Sequence, residues 1–295
     1  MDATAQSLES QLVLTAEQVE FFDRNGYLTL RGITTAKDLA ELRDIYERMF
    51  RERTGFADGN YFDLVTSGEE AVELPQMTMM ASYEPRLRET LLWQNVGAVS
   101  RQLLGGIARY VFDHGIRKPP NGPKTSWHQD YAYYSPGMRH RCLTFWVPLH
   151  DATIDNGCMW FVPGSHRGKL LDHHPINGDP RVHGLEVCDA AFTRNYPIDL
   201  RSATDSVVRC PIKAGDCTIH HPMTIHGTGP NLTSEPRLGY GLAFGVPTRR
   251  SLVKKPYPWN AIKQTLRDER HYKSLSAMRK AKLVAKSVLS RTGLY

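Results

Sequence analysis

Gly215-Asp216-Cys217-Thr218-Ile219-His220-His221-Pro222-Met223-Thr224-Ile225-His226-Gly227-Thr228-Gly229-Pro230-Asn231 combines a short β-prone run, three histidines and a Gly-Pro-Asn turn. Its first part, 216–220, is one of six runs rich in β-branched and aromatic residues beyond Gly106, with 109–114, 141–149, 158–162, 206–212 and 237–246. Gly, Pro and Asn separate these runs, which predicts antiparallel strands closing into a barrel or a sandwich. No internal repeat is visible.

Upstream lies Ser126-Trp127-His128-Gln129-Asp130. On a strand or its frayed end, residues two apart point to the same face, so His128 and Asp130 can serve as adjacent ligands. An imidazole, a carboxylate and one further histidine form the facial triad that leaves positions open on Fe(II). His220, His221 and His226 are the candidates for that third ligand. Downstream, Arg237 offers a guanidinium fork, which binds a carboxylate in two-pronged fashion and stays charged when partly buried.

These clusters, with Asn156-Gly157-Cys158, the run from Pro163-Gly164-Ser165-His166-Arg167 to Gly168, and Asn25-Gly26-Tyr27-Leu28 after an opening helix, resemble the phytanoyl-CoA dioxygenase family of Fe(II)- and 2-oxoglutarate-dependent oxygenases. The resemblance is strongest from Lys118 to Val246 and absent from the C-terminal tail. It implies a mainly β fold with flanking helices around a double-stranded β-helix (jelly-roll, cupin-like) core. It also implies an iron held by His128, Asp130 and His226. His226 fits the distal position because Gly227 follows it and Arg237 stands eleven residues further on. His220 and His221 are then left to the core or to orienting a ligand. Arg237 would hold the far carboxylate of 2-oxoglutarate, helped by the Thr228 hydroxyl, with Trp146 lying along the co-substrate. The implied reaction uses Fe(II), 2-oxoglutarate and O2 to hydroxylate an unactivated C–H of a small metabolite or natural-product intermediate, releasing succinate and CO2. Halogenating relatives lack the carboxylate that Asp130 supplies, which favours hydroxylation. Two other readings stay open: a barrel metalloenzyme that does not use 2-oxoglutarate, and a non-catalytic binding module.

Substrate contacts are expected from Tyr131, Tyr133 and Tyr134, directly after Asp130. The polar stretch 164–204 has little periodicity and reads as a lid, whose His166, Arg167, Lys169, His173, His174, Arg181 and His183 would draw in an anionic substrate.

The first third reads as helical. Thr15 and Gln18 fit a capping box, with Val19 and Phe22 on the apolar face and Asn25-Gly26 as the stop. Residues 27–31 alternate like a strand. Leu39, Leu42, Tyr46, Met49 and Phe50 mark a second helix, and Leu87, Leu91, Val96 and Leu103 a third over 84–104. The domain is expected to span 1–248, with a helical part at 15–105 and the barrel at 106–248. A basic helical extension follows at 249–295, with Leu275, Met278, Val284 and Val288 on its packed face.

Of 295 residues, 41% are hydrophobic and 23% charged, ordinary for a globular protein. The net charge of +6 is unevenly placed. From Arg249 onwards thirteen Lys or Arg face Asp268 and Glu269, a net +11, which leaves −5 for the rest. An acidic body with a basic tail does not describe a nucleic-acid-binding core. The N-terminus lacks the pattern of a secretory signal, and no apolar run is long enough to span a bilayer. Five cysteines without paired spacing, Cys142, Cys158, Cys188, Cys210 and Cys217, read as reduced thiols in a cytoplasmic protein. Oligomeric state is not legible.

Overall fold

The computed structural model describes residues 12–68, 73–196, 206–250 and 257–281. Helix α1 (Ala16–Asn25) opens the described chain. The Thr15 hydroxyl accepts from the Gln18 amide and the Gln18 side chain accepts from the Thr15 amide, satisfying two N–H groups the helix leaves orphaned. Gly26 stops it in the left-handed region at φ 76° and leads into β1 (Tyr27–Leu30). Helix α2 (Ala36–Arg51), capped by Thr35, buries Leu39, Leu42, Tyr46, Met49 and Phe50, as their spacing predicts.

A hairpin of β2 (Tyr61–Asp63) and β3 (Pro75–Thr78) follows, strands too short to leave a legible alternation. The single helix expected over 84–104 is instead α3 (Met80–Tyr83), a 3-10 turn at Pro85–Glu89 and α4 (Leu91–Leu104). Thr90 makes the break: its backbone is extended and its hydroxyl caps α4 by accepting from the Trp93 amide.

The remaining strands are β4 (Arg109–Lys118), β5 (Thr125–His128), β6 (Met138–Pro148), β7 (Met159–Phe161), β8 (His173–Pro175), β9 (Leu185–Val187), β10 (Val208–Cys210), β11 (Cys217–His220), β12 (His226–Thr228) and β13 (Arg237–Arg250). Helix α5 (Ala190–Asn195) lies between β9 and β10, and α6 (Pro258–Ala261) and α7 (Leu266–Ser274) follow β13. All six predicted runs contain a strand. Seven strands form one sheet in the order β1-β11-β6-β13-β4-β3-β2, and β10-β7-β12-β5 form a second, with every pairing antiparallel. Facing one another, the two sheets make the double-stranded β-helix.

Alternation along the central strands gives the large sheet two different faces. Leu143, Phe145 and Val147 of β6 and Leu238, Tyr240, Leu242 and Phe244 of β13 point outwards into one core with Leu42, Tyr46, Met49, Val96 and Val99 of α2 and α4. Intervening residues point inwards: Thr144 and Trp146 from β6, His114 and Ile116 from β4, Arg237, Gly239 and Gly241 from β13. A Cβ on Gly239 would overlap the Trp146 indole, and one on Gly241 the His114 ring. These glycines weaken a strand in exchange for room to lay two large rings across it.

Stretch 164–204 is more structured than expected. β8 and β9 pair within it and α5 follows, while 197–204 lies outside the described residues. The tail is not one continuous helix. Leu275 is extended and ends α7, Met278 is 69% exposed, and Val284 and Val288 lie outside the described residues. Segment 257–264 docks on the barrel: Trp259 Nε1 and Asn260 Nδ2 donate to the Ala132 carbonyl, and the Gln264 amide donates to that of Pro180. All five cysteines are unpaired thiols, four buried and Cys188 exposed. Among the described residues no helix is long and apolar enough to cross a membrane.

Gly241→Ala is expected to cost about 1–3 kcal/mol of stability through overpacking against His114. Gly106→Ala, whose Cβ would meet only a Val246 methyl in ordinary contact, should change it by less than about 0.5 kcal/mol. Urea unfolding of the two variants measures the difference.

Candidate active site

β5 and β12 pair antiparallel with His128 and His226 as direct cross-strand partners, which brings their ring centroids to 4.2 Å. Each Nδ1 lies against the carbonyl two residues upstream, Ser126 at 2.8 Å and Thr224 at 2.9 Å. Donating there fixes the tautomer, so both Nε2 lone pairs are turned towards Asp130 Oδ1, at 3.8 Å and 3.5 Å. Asp130 opens a 3-10 turn (Asp130–Tyr133) at the end of β5. Its Oδ2 accepts from the Thr144 hydroxyl at 2.8 Å and faces His220 Nε2 at 3.1 Å, which leaves Oδ1 for the shared centre. The three ligand atoms lie within 4.8 Å of one another.

Burial, then the neighbouring His128 and His220, keeps the His226 imidazole well below its ordinary pKa, and burial likewise depresses His128. Burial would raise the Asp130 carboxyl, but His226 and the His220 hydrogen bond hold it well below the usual carboxylate range. Two neutral imidazoles and one ionised carboxylate are the protonation states a divalent metal needs. As a donor set of two nitrogens and one hard oxygen on one side, they suit Fe(II) with open positions.

Gln129, between two of these residues, points the opposite way and is fully buried. Its amide nitrogen donates to the Lys169 and Met223 carbonyls, and its oxygen accepts from the Leu171 amide. The backbone N–H of Gln129 donates to His173 Nε2 at 3.2 Å. The strand end carrying His128 and Asp130 is thereby bolted to the chain before β8 and to the loop before β12.

The same cavity, about 550 Å³, reaches to Arg237. Arg237 is 2% exposed, and neither its Nε nor its Nη1 has a hydrogen-bond partner among the described residues. The Trp146 ring centroid lies 4.9 Å from the guanidinium carbon. Burial pulls the Arg237 pKa down to about 10, so it is cationic at neutral pH. Lys118, its cross-strand partner on β4, is also fully buried and donates to the Thr228 hydroxyl and the Gly229 carbonyl, both at 2.6 Å. Burial and the nearby Arg237 charge push the Lys118 ammonium well below its ordinary pKa. A buried cation with unmet donors beside a second buried amine fits a carboxylate ligand at this end.

His128, Asp130, His226, Arg237, Thr228, Trp146, Tyr133 and Tyr134 all line this one cavity. Tyr131 does not, contrary to expectation: it packs against Tyr134 and His140. Three residues make one turn of a 3-10 helix, so Asp130 and Tyr133 share a face and Tyr131 is rotated off it. Of the basic lid residues only His183 lines the cavity. His166 and Arg167 engage the Asp23 carbonyl, His174 lies by Glu186, and Arg181 pairs with Asp179. His220 holds Asp130, as expected, while the half-buried His221 ring accepts from the Met223 amide and packs against His166. Sequence reasoning missed His114, Thr144 and the tail residues Asn260, Lys263 and Arg267, which also line the cavity, Gln129, which anchors the strand end between His128 and Asp130, and Lys118, the buried partner of Arg237. Inward alternation from Trp146 marks Thr144; nothing local marks Lys118 or Lys263.

Gln129→Leu keeps volume but strands the Leu171 amide and two carbonyls. It is expected to lower stability by about 3 kcal/mol, read by urea unfolding of the metal-free protein.

Residues 22–239 match the profile of the phytanoyl-CoA dioxygenase (PhyH) family. The probable alpha-ketoglutarate-dependent hypophosphite dioxygenase of Stutzerimonas stutzeri is 28% identical over 237 residues, covering 78% of this chain and 79% of its own. Peroxisomal phytanoyl-CoA dioxygenase of Mus musculus is 27% identical over 252 residues, covering 79% and 69%. The crystal structure of EvdO2 from Micromonospora carbonacea var. aurantiaca, complexed with 2-oxoglutarate, superposes with a TM-score of 0.68 at 29% identity, over 84% of this chain and 97% of that one. With its jelly-roll core and its His-Asp-His cluster, the chain belongs to the phytanoyl-CoA dioxygenase family and is an Fe(II)- and 2-oxoglutarate-dependent dioxygenase.

Proposed function

We propose that His128, Asp130 and His226 hold the Fe(II), that Arg237 holds the far carboxylate of 2-oxoglutarate, and that the reaction is hydroxylation of a small organic molecule in the same cavity. The observation carrying this reading is the unpartnered, buried guanidinium of Arg237 at one end of the cavity whose wall holds the triad. When bound, iron and 2-oxoglutarate would activate O2, one oxygen atom passing to succinate as CO2 is lost and the other to the unactivated C–H of the substrate.

The protein's own residues set the conditions. Neutral His128 and His226 present their Nε2 atoms, and Thr144 and His220 keep Asp130 turned so that Oδ1 faces the metal position. Arg237 forms one side of the carboxylate cradle. Lys118, its cross-strand partner, is buried beside it and bonded to Thr228 and Gly229. The Thr228 hydroxyl, now accepting from Lys118, lies at the same end. Trp146 covers the guanidinium face and narrows the space beside the co-substrate. Tyr133 and Tyr134 form part of the wall on the substrate side. Relatives named for hypophosphite and ectoine accord with a small-molecule substrate.

Arg237→Ala should raise the KM for 2-oxoglutarate about 100-fold, because a partner of a buried charged carboxylate is lost. Iron binding should be unchanged, and Arg237→Lys should recover only part of the loss because the two-pronged contact is gone. Succinate formation against 2-oxoglutarate concentration measures this. An unchanged KM in Arg237→Ala contradicts the assignment.

A further inference from the structure

The cavity has a second cationic end that neither iron nor 2-oxoglutarate accounts for. It is built by the C-terminal segment, which lies beyond the family match ending at residue 239. Lys263 and Arg267 both line the cavity, next to His183 and Tyr133. The Lys263 ammonium donates to the His183 carbonyl at 2.7 Å and stands 4.9 Å from the Tyr133 ring centroid. Among the described residues it has no carboxylate within 4 Å. Arg267 stacks on Phe62 and gives one Nη1 bond to Asp268 at 3.0 Å. Its Nε is sealed from solvent without a hydrogen-bond partner, as is His183 Nδ1. Burial lowers the Lys263 pKa to about 8. Burial, then the Arg267 and Lys263 charges, keeps the His183 ring neutral.

The same cavity wall carries Phe62, Leu64, Phe112, Ile116, Ile176 and Leu185. Tyr133 bridges this end and the triad: its ring is 6.2 Å from that of His128 on one side and contacts Lys263 on the other. An unmet Arg267 donor and an ammonium with no carboxylate in contact, beside Asp268, a cavity-lining carboxylate that Arg267 already engages, fit an anion at this end of the chamber.

We infer that the substrate is a compact organic anion, with its carboxylate or phosphate held by Lys263 and Arg267 and its apolar body lying along Phe62 and Tyr133 towards the metal. The inference rests on the reading of the triad as the reacting end. The C-terminal segment is thus a specificity element of the cavity. Its position is fixed by the Trp259 and Asn260 bonds to Ala132, in the same turn that carries Asp130 and Tyr133.

The test uses the full chain and four probes with one body: 3-phenylpropanoate, 3-phenylpropyl phosphate, 3-phenylpropan-1-ol and 3-phenylpropylamine. Calorimetric titrations are run anaerobically with Fe(II) and 2-oxoglutarate saturating, so that the Arg237 end is filled, and again with metal-free Arg237→Ala. The anions should bind about tenfold or more tightly than the alcohol and amine in both settings. Lys263→Gln and Arg267→Gln should each remove most of that preference, and Lys263→Arg should keep it, with thermal melts reporting that each variant is folded. The relative affinities of the two anions separate a carboxylate site from a phosphate site. Equal binding of anions and alcohol, or an anion preference that survives both Gln substitutions, overturns the inference. Anion binding that persists in metal-free Arg237→Ala while the wild type binds no 2-oxoglutarate leaves the cationic end standing and removes the cofactor reading instead.

Discussion

The cross-strand pairing of His128 with His226 is the contact on which the rest of the site depends. Because side chains alternate along a strand, a slip of one residue between β5 and β12 would turn one imidazole away from the other and dissolve the cluster. Register is therefore pinned from several directions. The Gln129 amide bonds the chain before β8 and the loop before β12, and each imidazole donates to a carbonyl of its own chain two residues back. Asp130 completes the group because a 3-10 turn begins at that residue, and its second oxygen is held by Thr144 and His220.

Around this contact the fold separates hydrophobic packing from chemistry. Helices α2 and α4 cover the outer face of the large sheet, so the inner face need not carry the core and can hold histidines, a buried arginine and a buried lysine. Gly239 and Gly241 lie under Trp146 and His114, giving the cavity its floor. Arg237 and Lys118 are costly in isolation, since desolvated charge is compensated only by a partner. The cavity thus carries cationic side chains at both ends and the His-Asp-His cluster in the same wall.

The sequence disclosed the His-Asp-His cluster more fully than the rest of the cavity wall. That His128, Asp130, His226 and Arg237 would come together in one cavity was legible from residue type and spacing taken together, and α1 and α2 because capping and apolar periodicity are local properties. Tyr131 misled because proximity to Asp130 in sequence says nothing about rotation within a 3-10 turn. The basic lid residues misled for a similar reason: His166, Arg167 and Arg181 are engaged elsewhere, and a local count of charge does not tell a paired cation from one facing a cavity. Lys118, Lys263 and Arg267 were missed since their importance arises from what the fold brings opposite them. The tail read as a basic helical extension packed through its apolar residues; two of its cations line the cavity.

The central claim is that one cavity holds iron through His128, Asp130 and His226 and 2-oxoglutarate beside it. Its most direct test is an anaerobic titration of metal-free protein with Fe(II) and then 2-oxoglutarate, followed by visible absorption. The account predicts a charge-transfer band of a chelated keto acid that requires both additions and is lost in His226→Ala. A band of equal strength in His226→Ala, or no band when one equivalent of iron is bound to the wild type, would contradict it.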